Sequence, residues 1–532
     1  MKKERVLIVG GGAAGLTAGA YCARENKNVL LLEKKDRTGG LLNSFKNNGF
    51  TFDTGPRAFV NSGILKPMLK NLDITWEFVQ NTISIGIEDQ MVRVQSMEDL
   101  GEYQRILYSL YPENRDDIKT ISEKIAKLSE YTRVLYEFDN PNFGSFKGDI
   151  PFIIRKLIPW TFKFLHALYK FNQFSMPMEE YLGSLTDNQP LIDIILQHFF
   201  RKTPAYFALG YFHVYMDYFY PKGGTGVLGR LLEEKFIAEG GEIRLNTDIV
   251  EVLPSESRVI DAEGSSYPYD NLVWAADLKT LYRRLNPAGL DAETVAGMDS
   301  ARDRILSSLG AESVFILYTT VNRPPSWFRD RGGEHMFYTP SRLGLGDTNR
   351  GELQRLIEAF DQTSRGEIED WVDRFLRLNT FEVSIPVLRD PALAPEGQTG
   401  LMISCLFDYQ LTQKVYQAGW YDEFKEIIQN RIIELFSQTI YPGLEEAILH
   451  KFSSTPLTIN NMTGSSEGAI TGWSFESDPP VVNTLKDIPK SVLTAVPGIY
   501  QAGQWAYSPA GVPIAMLTGW YAAEEIKKRK KK

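Results

Sequence analysis

Val6-Leu7-Ile8-Val9 runs directly into Gly10-Gly11-Gly12-Ala13-Ala14-Gly15. An alanine-rich stretch continues to Ala23, and a second apolar run, Val29-Leu30-Leu31-Leu32, ends on Glu33. The pattern reads as strand, glycine turn, helix and strand, with G-x-G-x-x-G at the turn and an acid 18 residues past its last glycine. Gly10 permits the tight turn, Gly12 lets the backbone approach a pyrophosphate, and Gly15 lets the helix lie against the strand. The helix N-terminus offers free N–H groups and partial positive charge to phosphates. Glu33 would accept hydrogen bonds from a ribose 2′-OH, and its charge opposes a 2′-phosphate there. Two other readings exist. Lys2, Lys3 and Arg5 before an apolar stretch, with Ala18-Gly19-Ala20, imitate a signal peptide, and the charge-free run Val6 to Ala23 imitates a membrane span. The glycine cluster and the second strand ending in an acid favour the dinucleotide turn over both.

Working outward, the 532 residues suffice for two or three domain-sized units. With 43% hydrophobic and 23% charged residues the chain is an ordinary globular protein. A formal net charge of -9 gives no case for nucleic acid as a partner. Cys22 and Cys405 make neither a disulfide framework nor a metal site, and the five histidines show no ligand spacing, so no metal is expected. A reducing, cytoplasmic setting fits this usage.

Past Glu33, Arg37-Thr38-Gly39-Gly40-Leu41 reads as a plain turn or as a second backbone contact to phosphate and sugar. Gly49 to Pro56 alternates like a strand and ends in a turn. Thr75 to Met97 reads as a short β region and Ser96 to Tyr220 as helical, with helix starts at Ser96 and at Ser184-Leu185-Thr186-Asp187. Within it Pro151 to Phe174 is dense in apolar and aromatic residues, is interrupted by Arg155, Lys156, Lys163 and Lys170, and carries no acid. That composition suits a peripheral, interfacial helix, and equally a core-facing one. The aromatics from Tyr206 to Tyr220 are core or, for some, the lining of a channel for a long apolar substrate. Glu242 to Val252 reads as a strand pair, and further strands are expected at Tyr269 to Asp277, Ser313 to Thr320 and Leu401 to Phe407. Near the end, Gly498 to Gln504 leads into Ser508-Pro509-Ala510-Gly511-Val512-Pro513, then a helix from Ile514 to Ile526. Lys527 to Lys532 is a solvated end or a hold on an anionic membrane surface.

Taken together these pieces resemble the FAD-dependent phytoene-desaturase-like proteins, within the wider amine-oxidase and GDP-dissociation-inhibitor flavin fold. The resemblance is carried by Val9 to Gly15 with Glu33, Arg37-x-Gly39-Gly40, Phe52 to Pro56 and Tyr220-Pro221-Lys222-Gly223-Gly224. It continues through Leu245-Asn246-Thr247, Ala394 to Gly397, Gly464 to Trp473, and Gly503-Gln504 with Gly511-Val512-Pro513. It implies an α/β fold: a Rossmann-like FAD-binding domain with a discontinuous mixed sheet, plus a helical domain for substrate and membrane. The expected segments are 1–80, 222–290 and 491–532 for FAD (the last with the basic tail), 81–221 as a helical insertion, and 291–490 for substrate. By the same resemblance Gly10, Gly12, Ala13, Ala14 and Gly15 hold the pyrophosphate, with Glu33 on the adenosine ribose, and Lys34 is a further cofactor-binding residue. Arg37, Gly39, Gly40 and Leu41 follow the pyrophosphate and ribityl chain, and Gly55, Pro56 and Arg57 sit near the isoalloxazine. Val250 meets the adenine through its backbone, and Gly503, Gly511, Val512 and Pro513 close over ribityl and flavin. Family desaturases often have a small residue after the Gly-Pro pair, so Arg57 departs from the pattern and would touch the flavin or an anionic substrate head.

Such a flavin is expected to be FAD held non-covalently, because no cysteine lies near the final glycine turn. It would take hydride at N5, leaving the protein to place a C–H bond in a dry channel. Desaturation of a long isoprenoid or carotenoid-like chain is the leading expectation. Saturation or cis–trans isomerisation, amine oxidation, and a non-enzymatic escort of prenylated proteins are the alternatives. No Ser-His-Asp or paired-acid constellation stands out. Arg57, Lys222 and Glu467 are catalytic candidates by position alone.

Overall fold

The computed structural model describes residues 3–143, 151, 153–196 and 198–529. The strands Arg5–Val9, Asn28–Leu32, Glu242–Arg244, Asn271–Trp274 and Ile499–Gln501 form one five-stranded sheet. Its spatial order runs from Glu242–Arg244 through Asn28–Leu32, Arg5–Val9 and Asn271–Trp274 to Ile499–Gln501, and every pairing is parallel. Val9 lies opposite both Leu32 and Trp274, so the C-terminal ends align and the loops that follow them emerge along one edge. The unbroken aliphatic runs suit strands covered on both faces. The helix Ala13–Arg24 is buried from Ala14 to Ala23 against this sheet. Its small residues are there because backbones meet. A Cβ on Gly15 would lie 1.9 Å from the Gly10 carbonyl oxygen, and one on Gly519, in the final helix Val512–Arg529, would lie 2.3 Å from that of Ala14. The charge-free start of the chain is therefore strand, turn and helix. Among the described residues no helix is long and apolar enough to cross a membrane.

The mixed sheet is a second, seven-stranded one. Its order is Ile448–Ser454, Ser313–Val321, Thr399–Phe407, Phe381–Ser384, His335–Thr339, Ile83–Ile87 and Gln90–Val94. All its pairings are antiparallel except that between His335–Thr339 and Ile83–Ile87. Trp371, Phe375, Phe424 and Phe436 from two long helices, Arg365–Leu378 and Tyr421–Gln438, cover one face. The segment read as a helical insertion thus opens with the strands Ile83–Ile87 and Gln90–Val94, inside the β region read at Thr75 to Met97, and they complete a sheet whose other strands begin at Ser313. Its helices, among them Leu100–Leu110, Arg115–Tyr136, Ile158–Asn172 and Ala205–Val214, share a core around Leu107, Leu128, Leu209 and Phe212. Phe59–Val60 and Phe78–Gln80 flank Tyr218–Pro221 and tie the segment back to the first 80 residues.

Local expectations divide by how local their cause is. Ser96 caps its turn in a capping box with Asp99. Ser184 to Asp187 is not a helix start: the helix Met178–Gly183 ends there, and Asn188 accepts the Leu191 N–H at 3.1 Å to begin Gln189–Leu196. Thr186 instead donates to Asp117, 69 residues away in sequence. The strand pair read at Glu242 to Val252 splits, its halves joining different sheets. The final helix runs through Arg529, with Lys527 bonded to Glu25 and Lys528 to Glu525, so this part of the basic run is helix and not a loose end. Residues 530–532, and Phe152 of the aromatic stretch, lie outside the described residues.

The final helix supplies a stability test. Gly519→Ala forces a Cβ against the Ala14 backbone, whereas one at Gly511 meets nothing within 4 Å. Overpacking of this kind costs about 1–3 kcal/mol. Thermal unfolding of ligand-free protein is expected to show a lowered Tm for Gly519→Ala and no change for Gly511→Ala.

Candidate active site

The glycine turn is built by contacts that only glycine permits. Gly10 has φ +105°, donates its N–H to the Leu32 carbonyl at 2.9 Å, and a Cβ on it would sit 2.8 Å from the Ala275 oxygen. At Gly12 a Cβ meets nothing within 4 Å, and the helix it begins has neither a side-chain cap nor an acid in its first turn. Its first N–H groups are left for a ligand. Glu33 is buried at the end of the second strand, accepting the Gly11 N–H at 2.7 Å and the Lys35 N–H at 2.9 Å. Each of its oxygens keeps a lone pair for a ribose hydroxyl.

Most of the other expected cofactor residues gather around this turn. Gly39 donates to the Gly11 carbonyl at 2.8 Å, and Gly40 lies against the Gly12 Cα. The Leu41 carbonyl packs on Gly55, which brings Pro56 beside the second glycine pair. Gly503, at φ +100°, lies against Ala14 and donates to Thr518 of the final helix at 2.9 Å; Gly511-Val512-Pro513 opens that helix. Thr247 and Asn246 bond the backbone of Glu33 and Lys35, leading to Val250, half exposed at an irregularity in its strand. The Lys34 ammonium lies against Gly464, and burial, with Lys35 beside it, lowers its pKa. Arg37 points outward to Asp36. An open cradle at Gly12, uncapped N–H groups and a buried carboxylate at the ribose position together fit a dinucleotide.

The three catalytic candidates separate. Lys222 is at the surface, 2.9 Å from Glu77, whose hydrogen bond raises its pKa. Glu467 holds Lys279 at 2.6 Å and the Gly310 N–H at 2.7 Å, and Asp277 holds Ser466, so these acids strap the 464–473 loop over the sheet edge. Lys279 is 2% exposed, its ammonium held by the Glu467 carboxylate of that loop. Arg57 is buried, donating to the Asp53 carbonyl at 2.8 Å and lying 3.5 Å from the Met402 sulfur.

Below Arg57 lies a polar cluster that the sequence did not reveal. Arg389 donates to the Arg57 carbonyl, to Asn81 and to Ser384, and stacks 3.8 Å over Tyr220. Tyr220 donates to fully buried Asp53 at 2.7 Å. His335 bridges Asn81 and Glu382, and burial pushes its pKa down against the pull of Glu382. From His335 a row of ring contacts runs outward: Tyr218 at 5.8 Å, Phe337 at 5.7 Å, then His198 at 4.9 Å from Phe337. The row ends at a cavity of about 40 Å³ between the mixed sheet and the helices, walled by side chains such as Ile195, Phe199, Phe212 and Tyr215. His198 bonds the Tyr215 hydroxyl at 2.5 Å, and burial pushes its pKa down to about 4.

Two outcomes are expected. Gly12→Ala leaves the Tm of flavin-free protein unchanged but weakens flavin binding by roughly tenfold or more, because the methyl occupies ligand space. Titration of flavin fluorescence measures this. His198 has its folded pKa below the 6.5 of the free side chain, so the unfolded chain gains a proton first as pH falls. Stability should therefore drop from pH 6.5 toward pH 4, and denaturant titrations should show a shallower drop in His198→Phe.

Residues 8–72 match the family model of an NAD(P)-binding Rossmann-like domain. Over 559 residues, 98% of this chain and 99% of the relative, the protein is 22% identical to 4,4'-diapophytoene desaturase (4,4'-diaponeurosporene-forming) of Staphylococcus aureus (strain bovine RF122 / ET3-1). An oxidoreductase from Methanosarcina mazei superposes with a TM-score of 0.62 at 14% identity, covering 98% of this chain and 100% of that one. A triple mutant of putrescine oxidase gives 0.60 at 14% identity, covering 99% of each chain. The glycine turn thus lies in an NAD(P)-binding Rossmann-like domain, the chain has the fold seen in putrescine oxidase, and over its full length it is similar to a desaturase.

Proposed function

We propose that the protein binds FAD non-covalently and desaturates a long, apolar, isoprenoid-like chain. The observation that carries this reading is the row of aromatic rings leading from beneath the Gly55-Pro56-Arg57 turn to an apolar cavity. Bound flavin supplies a hydride acceptor at N5. The glycine turn at Gly10–Gly15 would neutralise the pyrophosphate, Glu33 would fix the ribose, and Gly55 and Pro56 would leave room for the ring. The aromatic walls exclude water and face a developing cationic carbon with their negative π surfaces. A C–H hydride would leave the chain for the flavin acceptor, the neighbouring carbon would release a proton that passes to solvent, and a double bond would remain between the two carbons. Non-covalent binding is supported by the cysteines: both are buried, their thiols pushed up to about 12 by burial, and Cys405 lies in the mixed sheet.

Anaerobic absorption spectra of FAD-loaded protein test the reaction. Bleaching of the flavin on adding a polyene in detergent is expected. Bleaching only with an amine would move the chemistry to amine oxidation, and no response to either would remove desaturation in favour of saturation or isomerisation.

Peripheral contact with the inner face of the cytoplasmic membrane belongs to the same reading. In the helix Ile158–Asn172, Ile158, Phe162, Leu165 and Tyr169 are exposed, Phe162 to 71%, while Trp160, Ala167 and Phe171 are buried. At 3.6 residues per turn the four exposed residues fall within an arc of about 60°. Arg155, Lys156 and Lys163 are exposed alongside. An apolar stripe with basic neighbours suits an anionic bilayer surface. Flotation with phosphatidylglycerol vesicles is expected for the native protein and lost in a Phe162→Ser, Leu165→Ser double variant; flotation unchanged in that variant would remove this helix from the membrane contact.

A further inference from the structure

A second cavity, of about 50 Å³, adjoins the apolar one and shares Met178 and Phe199 with it. Consecutive residues stand on its two sides: Asn379 lines the second cavity, Thr380 the first. Its walls set charged side chains beside apolar ones such as Leu196 and Phe200. Arg201 is held by Glu312, with its backbone N–H at 2.6 Å and Nε at 3.1 Å, and Glu476 lies 3.8 Å away. Arg350 pairs with Glu179 and Asp193, and Asp193 is fixed in turn by the Gly346 N–H at 2.6 Å. Lys202 alone among these charges has no ion pair among the described residues, and it is exposed at the mouth.

Asn379 breaks this pattern of satisfied groups. It is 3% exposed, its Oδ1 accepts the Thr380 N–H at 2.8 Å, and its Nδ2 has no hydrogen-bond partner among the described residues. A buried amide donor without an acceptor is costly, and an acceptor oxygen placed there by a ligand would relieve that cost. The four acids around it outnumber the two arginines they hold, so the walls do not call for an anionic group.

We propose that this second cavity is a head-group subsite: it takes the hydroxyl or carbonyl oxygen at one end of a chain whose apolar body lies in the adjoining cavity, with Asn379 Nδ2 as donor. The assignment rests on the apolar-substrate reading above and narrows it from a pure hydrocarbon to a chain with one oxygen-bearing, uncharged terminus. Asn379 acts here as a specificity-determining residue and takes no part in the chemistry.

The test is calorimetric binding to FAD-loaded, full-length protein of three C20 isoprenoids delivered from cyclodextrin: geranylgeraniol, geranylgeranoic acid and the hydrocarbon ending in methyl. The alcohol is expected to bind about tenfold tighter than the hydrocarbon, the scale of one hydrogen bond to an otherwise unpaired buried donor. Asn379→Leu should bring that ratio to about one and leave hydrocarbon affinity unchanged, while Lys202→Ala should preserve the ratio. Equal binding of alcohol and hydrocarbon by the native protein overturns the subsite alone, as does a preference that survives Asn379→Leu. Tightest binding of the acid overturns the uncharged terminus. Binding of none of the three overturns the subsite together with the apolar-substrate reading. The native ratio decides the matter even where Asn379→Leu does not fold.

Discussion

The carbonyl oxygen of Gly10 occupies the place where any side chain on residue 15 would have to go. That contact brings the first helix onto the first strand, and much else depends on it. A helix held this close presents its N-terminus at the sheet edge, where Glu33 and the Gly39-Gly40 pair meet the same turn. The final helix closes on the other side by a matching backbone contact between Gly519 and Ala14. A larger residue at either point would separate helix from strand or helix from helix. The cradle would open before any residue that touches the ligand had changed.

The nucleotide half of the molecule was legible because its causes are local. Val6 to Gly15 carries strand, turn and helix in ten residues, and Glu33 follows at the end of the next strand. The second glycine pair, the Gly55-Pro56 turn and the final helix were likewise marked by residues acting near themselves. Ser184 shows the limit. Its neighbourhood has helix-start composition, yet Thr186 is claimed by Asp117 and the helix begins at Asn188.

The substrate side was far less legible, because its partners meet only in the fold. Asp53, Tyr220 and Arg389 are separated by more than 160 residues each and form one buried stack. His335 looks alone in the sequence and becomes the bridge between Asn81 and Glu382. Lys279 and Glu467, 188 residues apart, meet only when the loop folds over the sheet edge. Asn379 carries no motif at all; its interest lies in a hydrogen bond that is missing, which no pattern of residue types can display. Hydrophobic periodicity announces helices and strands, whereas polar groups paired across domains announce nothing until they are paired.

The parallel sheet has a consequence for how the protein is made. Four of its strands are complete by Trp274, but its last edge is Ile499–Gln501, and the wall that Gly503 and the final helix add comes later still. During synthesis the glycine turn leaves the ribosome hundreds of residues before its covering exists. Until then the uncapped end of the first helix faces water, and the apolar faces of both flanking helices wait for partners from the far end of the chain. Such long-range closure is slow to form. Capture of the flavin is therefore a late event that seals two ends of the polypeptide together, and a chain released short of Val512 would carry the nucleotide signature without the means to retain the nucleotide.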